Sequence, residues 1–461
     1  MNIPHEDTIC AIATAQGGAI GIIRVSGPNA ITYTSNIFCP LKTGKLLEDC
    51  KAYTQTYGNV VDADGSIVDE VLVSLFRAPH SYTGEDSTEI SCHGSAYILQ
   101  RILKLLIKQG CRLAKPGEYT QRAFLNGKMD LSQAEAVADL IASTSSANHR
   151  LAMNQMRGGF SQKLTELRDE LLKFNALIEL ELDFSDHEDI EFADRTQLKD
   201  LADHIEKVIY KLVDSFQLGN AIKHGVPVAI IGETNAGKST LLNALLGEDR
   251  AIVSEISGTT RDVIEDTINI EGITFRFIDT AGIRQTTDTI ENMGIERTFQ
   301  KIDQASIVLW MLDATCAERQ FANLQAQILP HCKDKQLILV YNKEDLSVDQ
   351  QPTPPSSCQH IAISAKKGTH LDELRALLVE SAHLPEISQG DVIVTNARHY
   401  EALTLALGAI RRVQQGMEVN LSGDFLAQDI RECIHHLSDI VGEVTTDDTL
   451  QFIFSHFCVG K

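Results

Sequence analysis

The stretch PVAIIGETNAGKSTLLNALLG, residues 227–247, decides the fold class of the central part of the chain. An apolar run precedes a glycine-rich loop, and the apolar spacing of a helix follows the loop. Residues 232–239 match the pattern G-x-x-x-x-G-K-[ST] of a phosphate-binding loop (P-loop), in which backbone N–H groups face the phosphates. Lys238 then reaches the β and γ phosphates, and Ser239 ligates Mg²⁺. The stretch predicts an α/β domain that binds a nucleoside triphosphate.

Later segments follow in the order that a GTP-binding (G) domain needs. GTTRD, residues 258–262, offers the Thr260 hydroxyl as a second Mg²⁺ ligand. FIDTAG, residues 277–282, places Asp279 in the outer shell of the metal and Gly282 beside the γ phosphate. Together with the P-loop, these segments account for the phosphate side of the predicted site.

Further segments specify the base. YNKED ends in Asp345, and a carboxylate at that position accepts two hydrogen bonds from guanine that adenine cannot provide. SAK, residues 364–366, completes the base pocket, so the predicted nucleotide is GTP rather than ATP. The predicted GTP-binding residues are Asn235, Ala236, Gly237, Lys238, Ser239, Thr240, Ser254, Glu255, Ile256, Ser257, Gly258, Thr259, Thr260, Asp279, Thr280, Ala281, Gly282, Asn342, Lys343, Asp345, Ser364, Ala365 and Lys366.

The catalytic step differs from that of Ras-like enzymes, because Ile283 stands where they carry the glutamine that orients the attacking water. Another group must orient the water, and another charge must replace the arginine finger. Asn235 and the polar stretch of residues 254–260 could surround a monovalent cation, since carbonyl and hydroxyl oxygens suit a hard ion. Asn235 is equally interpretable as a turn residue.

Composition places the chain among globular proteins. Its 461 residues suggest several domains, and no apolar run approaches the roughly 20 residues that span a bilayer. The N-terminus has no arginine before Arg24 and fits neither a secretory signal nor a transit peptide, which favours the cytoplasm. The ten cysteines include no C-x-x-C pair, so neither a disulfide framework nor a zinc ribbon is indicated. A net charge of -22 opposes unaided binding to nucleic acid.

The texture of the sequence changes along the chain. Short β-like runs and one helical stretch predict an α+β domain over residues 1–119, and helical spacing begins near Thr120. Apolar strands alternate with helices over residues 218–383, which predicts a parallel α/β sheet, and helical spacing returns over residues 384–461. We therefore expect a G domain inserted into one helical domain made of residues 120–217 and 384–461. The acidic run 179–194 stays unassigned.

The chain ends in FCVGK, residues 457–461. This ending is a poor prenylation signal, because Gly460 is not aliphatic and no polybasic segment precedes it. Phe452, Phe454 and Phe457 are expected to pack and to prevent fraying.

The motifs NAGKSTLLNALLG, AIVSEISGTTRD, IDTAGIR, GIER, KPGEYTQRAFLNGKMDLSQAEAVADLI and GEVTTDDTLQFIFSHFCVGK together resemble the MnmE (TrmE) family of tRNA modification GTPases over the whole chain. The resemblance implies a multidomain fold: an N-terminal α+β folate-binding and dimerisation domain, a discontinuous α-helical domain and an inserted Ras-like, TrmE-type P-loop G domain. It also implies a homodimer that joins an FAD protein of the MnmG type in a heterotetramer and acts on tRNA. Together these proteins form 5-carboxymethylaminomethyl- or aminomethyl-uridine at the wobble position.

The resemblance also assigns the cations and the attacking water. Mg²⁺ maps onto Ser239 and Thr260. A K⁺ site with the charge of an arginine finger maps onto Asn235, Ser254, Ile256 and Thr259, and family members carry threonine in place of Ser254. The acid that orients the water maps onto Glu291 in DTIENMGIER.

The one-carbon donor implied by the resemblance is a 5-formyl- or methylene-tetrahydrofolate. Its binding residues map onto Arg24 in IIRVSG, Glu89 in STEISCHG, Lys128 in NGKMD and the terminal Lys461. A carboxylate can accept hydrogen bonds from the pterin, while arginine and lysine suit the glutamate tail or a formyl oxygen. The sequence departs from the family at Ser95, where a second glycine is common. Two roles stay open for Cys458, namely a catalytic thiol and a packed, inert one. The amine donor and the tRNAs modified also stay open.

Other GTPase classes fit fewer segments. A ribosome-assembly G protein of the Era or Der type is the main alternative, but neither a KH-like RNA module nor a second G domain is evident. A membrane iron transporter with a cytosolic G domain lacks its transmembrane segments here, and a stand-alone folate-dependent transferase explains only the first 118 residues.

Overall fold

The computed structural model describes residues 7–15, 17–41, 46–183, 195–247, 266–278, 299–346, 358–382, 392–455, 457 and 460. The chain divides into two compact units. The first comprises Met1–Ile141, Gln155–Ile205 and Leu405–Lys461, and the second comprises Ala142–Asn154 and Glu206–Thr404. Each unit contains segments that are far apart in the sequence, which is the pattern of an inserted domain. The domain boundaries drawn from the sequence remain predictions.

The first unit contains a mixed sheet. Its strands are β1 (Ile9–Ile12), β2 (Ile20–Ser26), β3 (Phe38–Pro40), β4 (Thr54–Val61), β5 (Ile67–Phe76), β6 (Ser87–His93) and β7 (Arg112–Leu113). In the described part of the unit they lie in the order β3-β4-β5-β6-β2-β1-β7. The neighbouring strands run antiparallel, except that β1 and β7 run parallel.

One face of this sheet packs into a large apolar core, and the other face carries charged as well as apolar side chains. Ile23 and Val25 of β2 are fully buried in a cluster with apolar residues of the helices Ala30–Ile37 and Ala96–Gln109. Because successive side chains on a strand point to opposite faces, Arg24 lies on the other face of the sheet. The alternation therefore places a charged residue outside the core.

Helices make up the rest of the first unit and enter the second. Among the described residues, the helices that do not accompany either sheet are Glu118–Leu125, Leu131–Ala142, Ser146–Met156, Gly159–Asp183, Arg195–His224, Ala397–Glu418, Gly423–Val441 and Asp447–Ser455. Gly159–Asp183 packs along Gly423–Val441, so both predicted segments of the helical domain meet in one unit. Both helices carry buried residues at spacings of three and four, namely Leu164, Leu167, Leu171, Phe174 and Ile178 on one helix and Ile430, Cys433, Leu437 and Ile440 on the other.

The second unit contains the α/β domain. Its strands are β8 (Val226–Ile231), β9 (Asp266–Ile270), β10 (Ile273–Phe277), β11 (Ile307–Asp313), β12 (Gln336–Asn342) and β13 (Gln359–Ile363), and the described ones form a sheet in the order β13-β12-β11-β8-β10-β9. The helices Lys238–Leu246, Ala317–Ile328 and Leu371–Ser381 accompany it. Both faces of β11 are buried, since Leu309 and Trp310 belong to separate apolar clusters.

The expectation of a parallel sheet is wrong for one strand. β9 runs antiparallel to β10, whereas the other neighbouring pairs in this sheet are parallel. The cause is the two-residue turn Glu271-Gly272, in which both residues have a positive φ, 50° and 83°. A turn this short can only reverse the chain into a hairpin.

The fold class predicted from the sequence is confirmed. An α+β region with its own sheet, helices from two separated segments and a P-loop α/β domain are all present. Across the ranges that the structure describes, no helix combines the length and the apolar character needed to cross a membrane.

Candidate functional sites

The P-loop connects β8 to the helix Lys238–Leu246. Gly232 and Gly237 have positive φ values of 143° and 97°, and neither has space for a Cβ atom, because the Met311 carbonyl and the Asn342 amide lie against them. These positions require glycine, which keeps the backbone N–H groups open to a ligand. The loop is therefore shaped as a cradle that suits phosphates.

Lys238 arches back over this loop. Its Nζ atom donates hydrogen bonds of 2.8 Å to the backbone carbonyls of Gly232 and Glu233. Burial lowers the pKa of Lys238 and nearby Lys301 adds to this effect, while Glu233 opposes it. The ammonium group is thus held at the mouth of the cradle by weak neutral acceptors, which the stronger charge of a phosphate can replace.

The remaining P-loop residues differ in exposure. Asn235 is exposed and has a φ of 65°, a left-handed conformation that asparagine tolerates. Its role as a turn residue is thereby accounted for, and its role as a K⁺ ligand stays a prediction. Ala236 is buried, Thr240 is exposed, and half-buried Ser239 lies in the first turn of the helix, a position that fits a hydroxyl ligand of Mg²⁺.

Asn342 joins the phosphate side of the site to the base side. Its Nδ2 atom donates a 2.8 Å hydrogen bond to the Ala236 carbonyl, and its Oδ1 atom accepts one of 3.0 Å from the Ala365 N–H. The side chain is only 3% exposed, so these bonds form away from water. The structure thus brings together three of the predicted motifs.

Asp345 stands at the base side of the site. Its Oδ1 atom accepts a 2.7 Å hydrogen bond from the Ser364 hydroxyl, and Lys367 lies 3.4 Å from its Oδ2 atom. The bond from Ser364 is the main cause that lowers the pKa of Asp345, and Lys367 adds to it. The carboxylate is therefore ionised at neutral pH, the form that accepts hydrogen bonds from guanine. Lys366 is exposed.

Several predicted residues lie outside the described part of the chain. They are Ser254, Glu255, Ile256, Ser257, Gly258, Thr259, Thr260, Asp279, Thr280, Ala281, Gly282, Glu291, Cys458 and Lys461. Most of the acidic run 179–194 lies outside it as well.

The face of the N-terminal sheet opposite its large apolar core carries an arginine–carboxylate pair. Arg24 and Glu89 are directly opposite each other on β2 and β6. The Nη2 and Nε atoms of Arg24 lie 2.8 and 2.9 Å from Glu89 Oε1, and the two side chains are 18% and 27% exposed. The pair is thus accessible at a fixed place on a sheet.

Two aromatic rings hold Arg24. Its guanidinium carbon lies 5.5 Å from the centre of the Tyr82 ring and 5.6 Å from that of Tyr119, which are cation–π distances. The Tyr119 hydroxyl also donates a 2.7 Å hydrogen bond to the Arg24 carbonyl. Burial raises the pKa of Tyr119, so its hydroxyl stays a donor. Neither tyrosine was predicted: Tyr119 stands in the quoted motif that begins with KPGEYTQ but had been assigned no role, and Tyr82 stands in none of the quoted motifs.

The C-terminus reaches the same arginine. Arg24 Nη1 donates a 3.3 Å hydrogen bond to the Gly460 carbonyl. Gly460 has a φ of 94°, and a Cβ atom there would lie 2.6 Å from the Ile12 carbonyl oxygen. Only glycine allows the chain this close to β1. The last described residue of the chain therefore lies beside the Arg24–Glu89 pair.

The packing of the preceding aromatic residues was predicted only in part. Phe454 is 2% exposed, and Phe457 packs in the same cluster. Phe452 is 67% exposed, so its expected packing is wrong. Residues two apart lie on different sides of a helix, and Phe454 occupies the buried side.

Lys128 lies at the edge of this region. Its Nζ atom donates a 3.0 Å hydrogen bond to the Pro79 carbonyl, and its stem would meet a Cβ atom at Gly84. The loop between those residues carries Tyr82, one of the rings beside Arg24. The structure therefore brings Arg24 and Glu89 into contact and places Lys128 against the loop that carries Tyr82.

Comparison with known families decides between the GTPase classes. The family described as "GTP-binding protein TrmE N-terminus" matches residues 8–128, and the one described as "MnmE helical domain" matches residues 131–458. The chain belongs to the MnmE family of tRNA modification GTPases. A MnmE protein of Bacteroides fragilis is 68% identical to it, and one of Bacteroides thetaiotaomicron is 67% identical; each alignment covers 99% of this chain and 100% of the relative.

One solved structure resembles part of the chain. A crystal structure of Aquifex aeolicus Era is 31% identical over 40% of this chain and 66% of that chain, with a TM-score of 0.26. Membership of this family confirms the prediction that the chain is a GTP hydrolase that acts in tRNA modification.

Proposed function

We propose that this chain is a K⁺-dependent GTPase that acts with an FAD protein of the MnmG type. Together they form 5-carboxymethylaminomethyl- or aminomethyl-uridine at the wobble position of tRNA, with a tetrahydrofolate as the source of one carbon. The Arg24–Glu89 pair beside Gly460 carries the proposal, because hydrolysis of GTP alone has no need of a second polar site.

The GTP site has a defined task for each motif. The P-loop and Lys238 bind the phosphates, and Asp345 binds guanine. Ser239 and Thr260 are proposed to hold Mg²⁺, and Glu291 is proposed to orient the attacking water. Asn235, Ser254, Ile256 and Thr259 are proposed to hold K⁺, which when bound supplies the positive charge that an arginine finger supplies elsewhere.

The N-terminal site is proposed to bind a 5-formyl- or methylene-tetrahydrofolate. The acceptor oxygens of Glu89 suit the amino and ring N–H groups of a pterin, and the donors of Arg24 suit a carboxylate or a formyl oxygen. The chemistry of this donor set therefore fits a folate, which has both kinds of group. Lys128 and Lys461 are proposed to complete the site, while Cys458 keeps its two alternatives.

The negative net charge of the chain supports the proposal that partners share in binding tRNA. A net charge of -22 makes strong binding of tRNA by this chain alone unfavourable, so we propose that a homodimer binds the RNA within a heterotetramer with the MnmG-type protein. We place this assembly in the cytoplasm, where tRNA is available.

The test is the wobble modification in a strain from which this gene has been deleted. We expect the modified uridine to disappear from digests of total tRNA and to return with the wild-type gene. The Arg24→Ala gene should fail to restore it although its product hydrolyses GTP, and Arg101→Ala, which removes another arginine of the same sheet domain, should restore it. Intact modification in the deletion strain contradicts the proposal and favours the assembly-factor alternative.

A further inference from the structure

A buried glutamine connects the P-loop to the end of β11. Gln320 lies on the helix Ala317–Ile328 and is 5% exposed. Its Oε1 atom accepts a 2.8 Å hydrogen bond from the Asp313 N–H, and its Nε2 atom donates one of 3.1 Å to Glu233 Oε2. Both ends of the side-chain amide are therefore used, and each binds a different element of the G domain.

Asp313 extends this connection to the base side. Its Oδ2 atom lies 2.6 Å from Nζ of Lys343, a residue of the base-binding motif. Burial opposes ionisation of Asp313, but hydrogen bonds from Lys343 and Thr315 hold the pKa of its carboxyl below the ordinary value. The connection thus continues from Glu233 in the P-loop to Lys343.

Glu233 lies where this connection can affect nucleotide binding. Glu233 directly follows Gly232 in the P-loop, and its carbonyl accepts a hydrogen bond from Lys238. Its carboxylate adds a negative charge to a loop that binds phosphates, so its direction affects binding. The amide of Gln320 fixes that direction, because one N–H group binds one carboxylate oxygen.

We propose that Gln320 is a positioning residue of the GTP site, which holds Glu233 on the phosphate side and, through Asp313, Lys343 on the base side. The two cross-element hydrogen bonds of Gln320 go to the Glu233 carboxylate and to the backbone N–H of Asp313, neither of which belongs to a predicted GTP-binding residue, so Gln320 acts through Glu233 and Asp313. Gln320 itself lies outside the P-loop and the base motifs, and its proposed effect on nucleotide binding requires neither K⁺ nor folate.

A swap of chemical groups separates this role from simple packing. Gln320→Glu keeps the size of the side chain but places a second carboxylate against Glu233. The double variant Gln320→Glu/Glu233→Gln restores one amide and one carboxylate in the reverse order, and the new carboxylate still accepts the Asp313 N–H. Glu233→Gln alone keeps an acceptor for Gln320. Gln327→Glu makes the same change at an exposed position of the same helix.

The measurement is the Kd of a fluorescent GDP analogue for the full-length chain. We expect Gln320→Glu to raise the Kd about tenfold, the size of the loss when a buried hydrogen bond is broken. At saturating GTP the kcat should change less than about twofold, because a positioning residue for binding acts on KM. Gln327→Glu should bind GDP as tightly as the wild type, and any effect of Glu233→Gln alone is subtracted in the double-mutant cycle.

The single tryptophan of the chain reports the packing of the same helix. Trp310 stacks on Phe321, the residue after Gln320, with ring centres 5.1 Å apart. The proposal requires that the double variant recover wild-type affinity and wild-type Trp310 emission. Wild-type affinity in Gln320→Glu overturns it, and so does a loss that the double variant retains. Because GDP is titrated without folate or tRNA, failure here leaves the proposed function untouched.

Discussion

Nδ2 of Asn342 donates a hydrogen bond of 2.8 Å to the backbone carbonyl of Ala236, which joins the base-binding motif to the P-loop. The two residues are 106 positions apart in the sequence. Since Asn342 also accepts a hydrogen bond from the Ala365 N–H, one side chain fixes the relative position of three loops. We therefore expect binding of guanine and binding of phosphate to be coupled in this domain.

Asn342→Ala is expected to weaken binding of GDP and GTP by about 10- to 100-fold. The change leaves the Ala236 carbonyl and the Ala365 N–H without their partner, and the expected loss of affinity corresponds to about 1.4–2.8 kcal/mol, the range for one unsatisfied buried group. Titration of a fluorescent GDP analogue measures the effect. Asn243→Ala, at an exposed position on the helix after the P-loop, should bind normally. Equal affinities of the two variants would contradict the coupling.

The G domain was largely predictable because its chemistry is local. The P-loop, YNKED and SAK motifs each follow or end a strand, so the predicted phosphate and base contacts depend on local residue types. The contacts between motifs were not predictable in this way. Gln320 reaches Glu233 across 87 positions, and no spacing signals the bond. The antiparallel β9 had a signal in Glu271-Gly272, which is short enough for a hairpin.

Glu89→Gln and Arg24→Ala are expected to weaken binding of 5-formyl-tetrahydrofolate at least about tenfold, because charge-assisted hydrogen bonds are the stronger ones. GTP hydrolysis by both variants should match the wild type. Isothermal titration with the folate and a phosphate-release assay make the comparison. Arg101→Ala, which breaks an ion pair with Asp62 in the same sheet domain, is the control. Unchanged folate binding by Arg24→Ala would show that the Arg24–Glu89 pair does not bind folate.

Gly460→Ala is expected to displace the C-terminus and abolish wobble modification while GTP hydrolysis continues. A Cβ atom at this residue meets the Ile12 carbonyl at 2.6 Å, and the φ of 94° adds strain of about 1–3 kcal/mol. Gly65→Ala is a matched control, because Gly65 also has a positive φ, 85°, but has open space around the added Cβ atom. Deletion of residues 458–461 should give the same result as Gly460→Ala. Modification that survives both changes would show that the C-terminus is dispensable.

The N-terminal site was less predictable from residues alone. Arg24 and Glu89 were assigned through a family resemblance, and their contact depends on the pairing of β2 with β6, which the sequence does not specify. The rings of Tyr82 and Tyr119 beside Arg24 come from a loop and a helix. Phe452 shows the same difficulty, since helical spacing predicts that one side is buried but leaves open which side.

GTP hydrolysis is expected to be at least about tenfold faster in K⁺ than in Na⁺, because carbonyl and hydroxyl ligands spaced for the larger ion coordinate the smaller one poorly. Asn235→Ala should remove most of this difference while GDP binding is retained. Phosphate release at equal ionic strength in KCl and NaCl measures both effects. Glu291→Ala should bind GTP normally and hydrolyse it slowly in either salt. Equal wild-type rates in the two salts would exclude the K⁺ site.

Arg122 provides a test of acid stability in the first unit. Its fully buried guanidinium pairs with Asp7, Glu85 and Glu118 at 2.7–3.1 Å. Burial opposes ionisation of Asp7 and Glu118, but hydrogen bonds from Arg112 and the charge of Arg122 outweigh it and lower the pKa of both carboxyl groups. Groups with lowered pKa values stabilise the fold above their unfolded pKa, and this contribution is lost as the pH falls through their folded pKa.

Arg122→Met should therefore lower the Tm of the full-length chain by about 10 °C at pH 7, because carboxylates lose a buried partner at a cost of about 3–5 kcal/mol. The difference from the wild type should narrow as the pH falls below about 4.5, since the wild type then loses its ion pairs while the variant has fewer to lose. Calorimetry from pH 7 down to about pH 3 measures both, since the window lies below the ordinary carboxyl pKa values. The Arg101 side chain is 38% exposed, so Arg101→Met should lower the Tm by less than Arg122→Met at pH 7. A difference that stays constant or widens with acid would show that Arg122 stabilises the fold by packing rather than by charge.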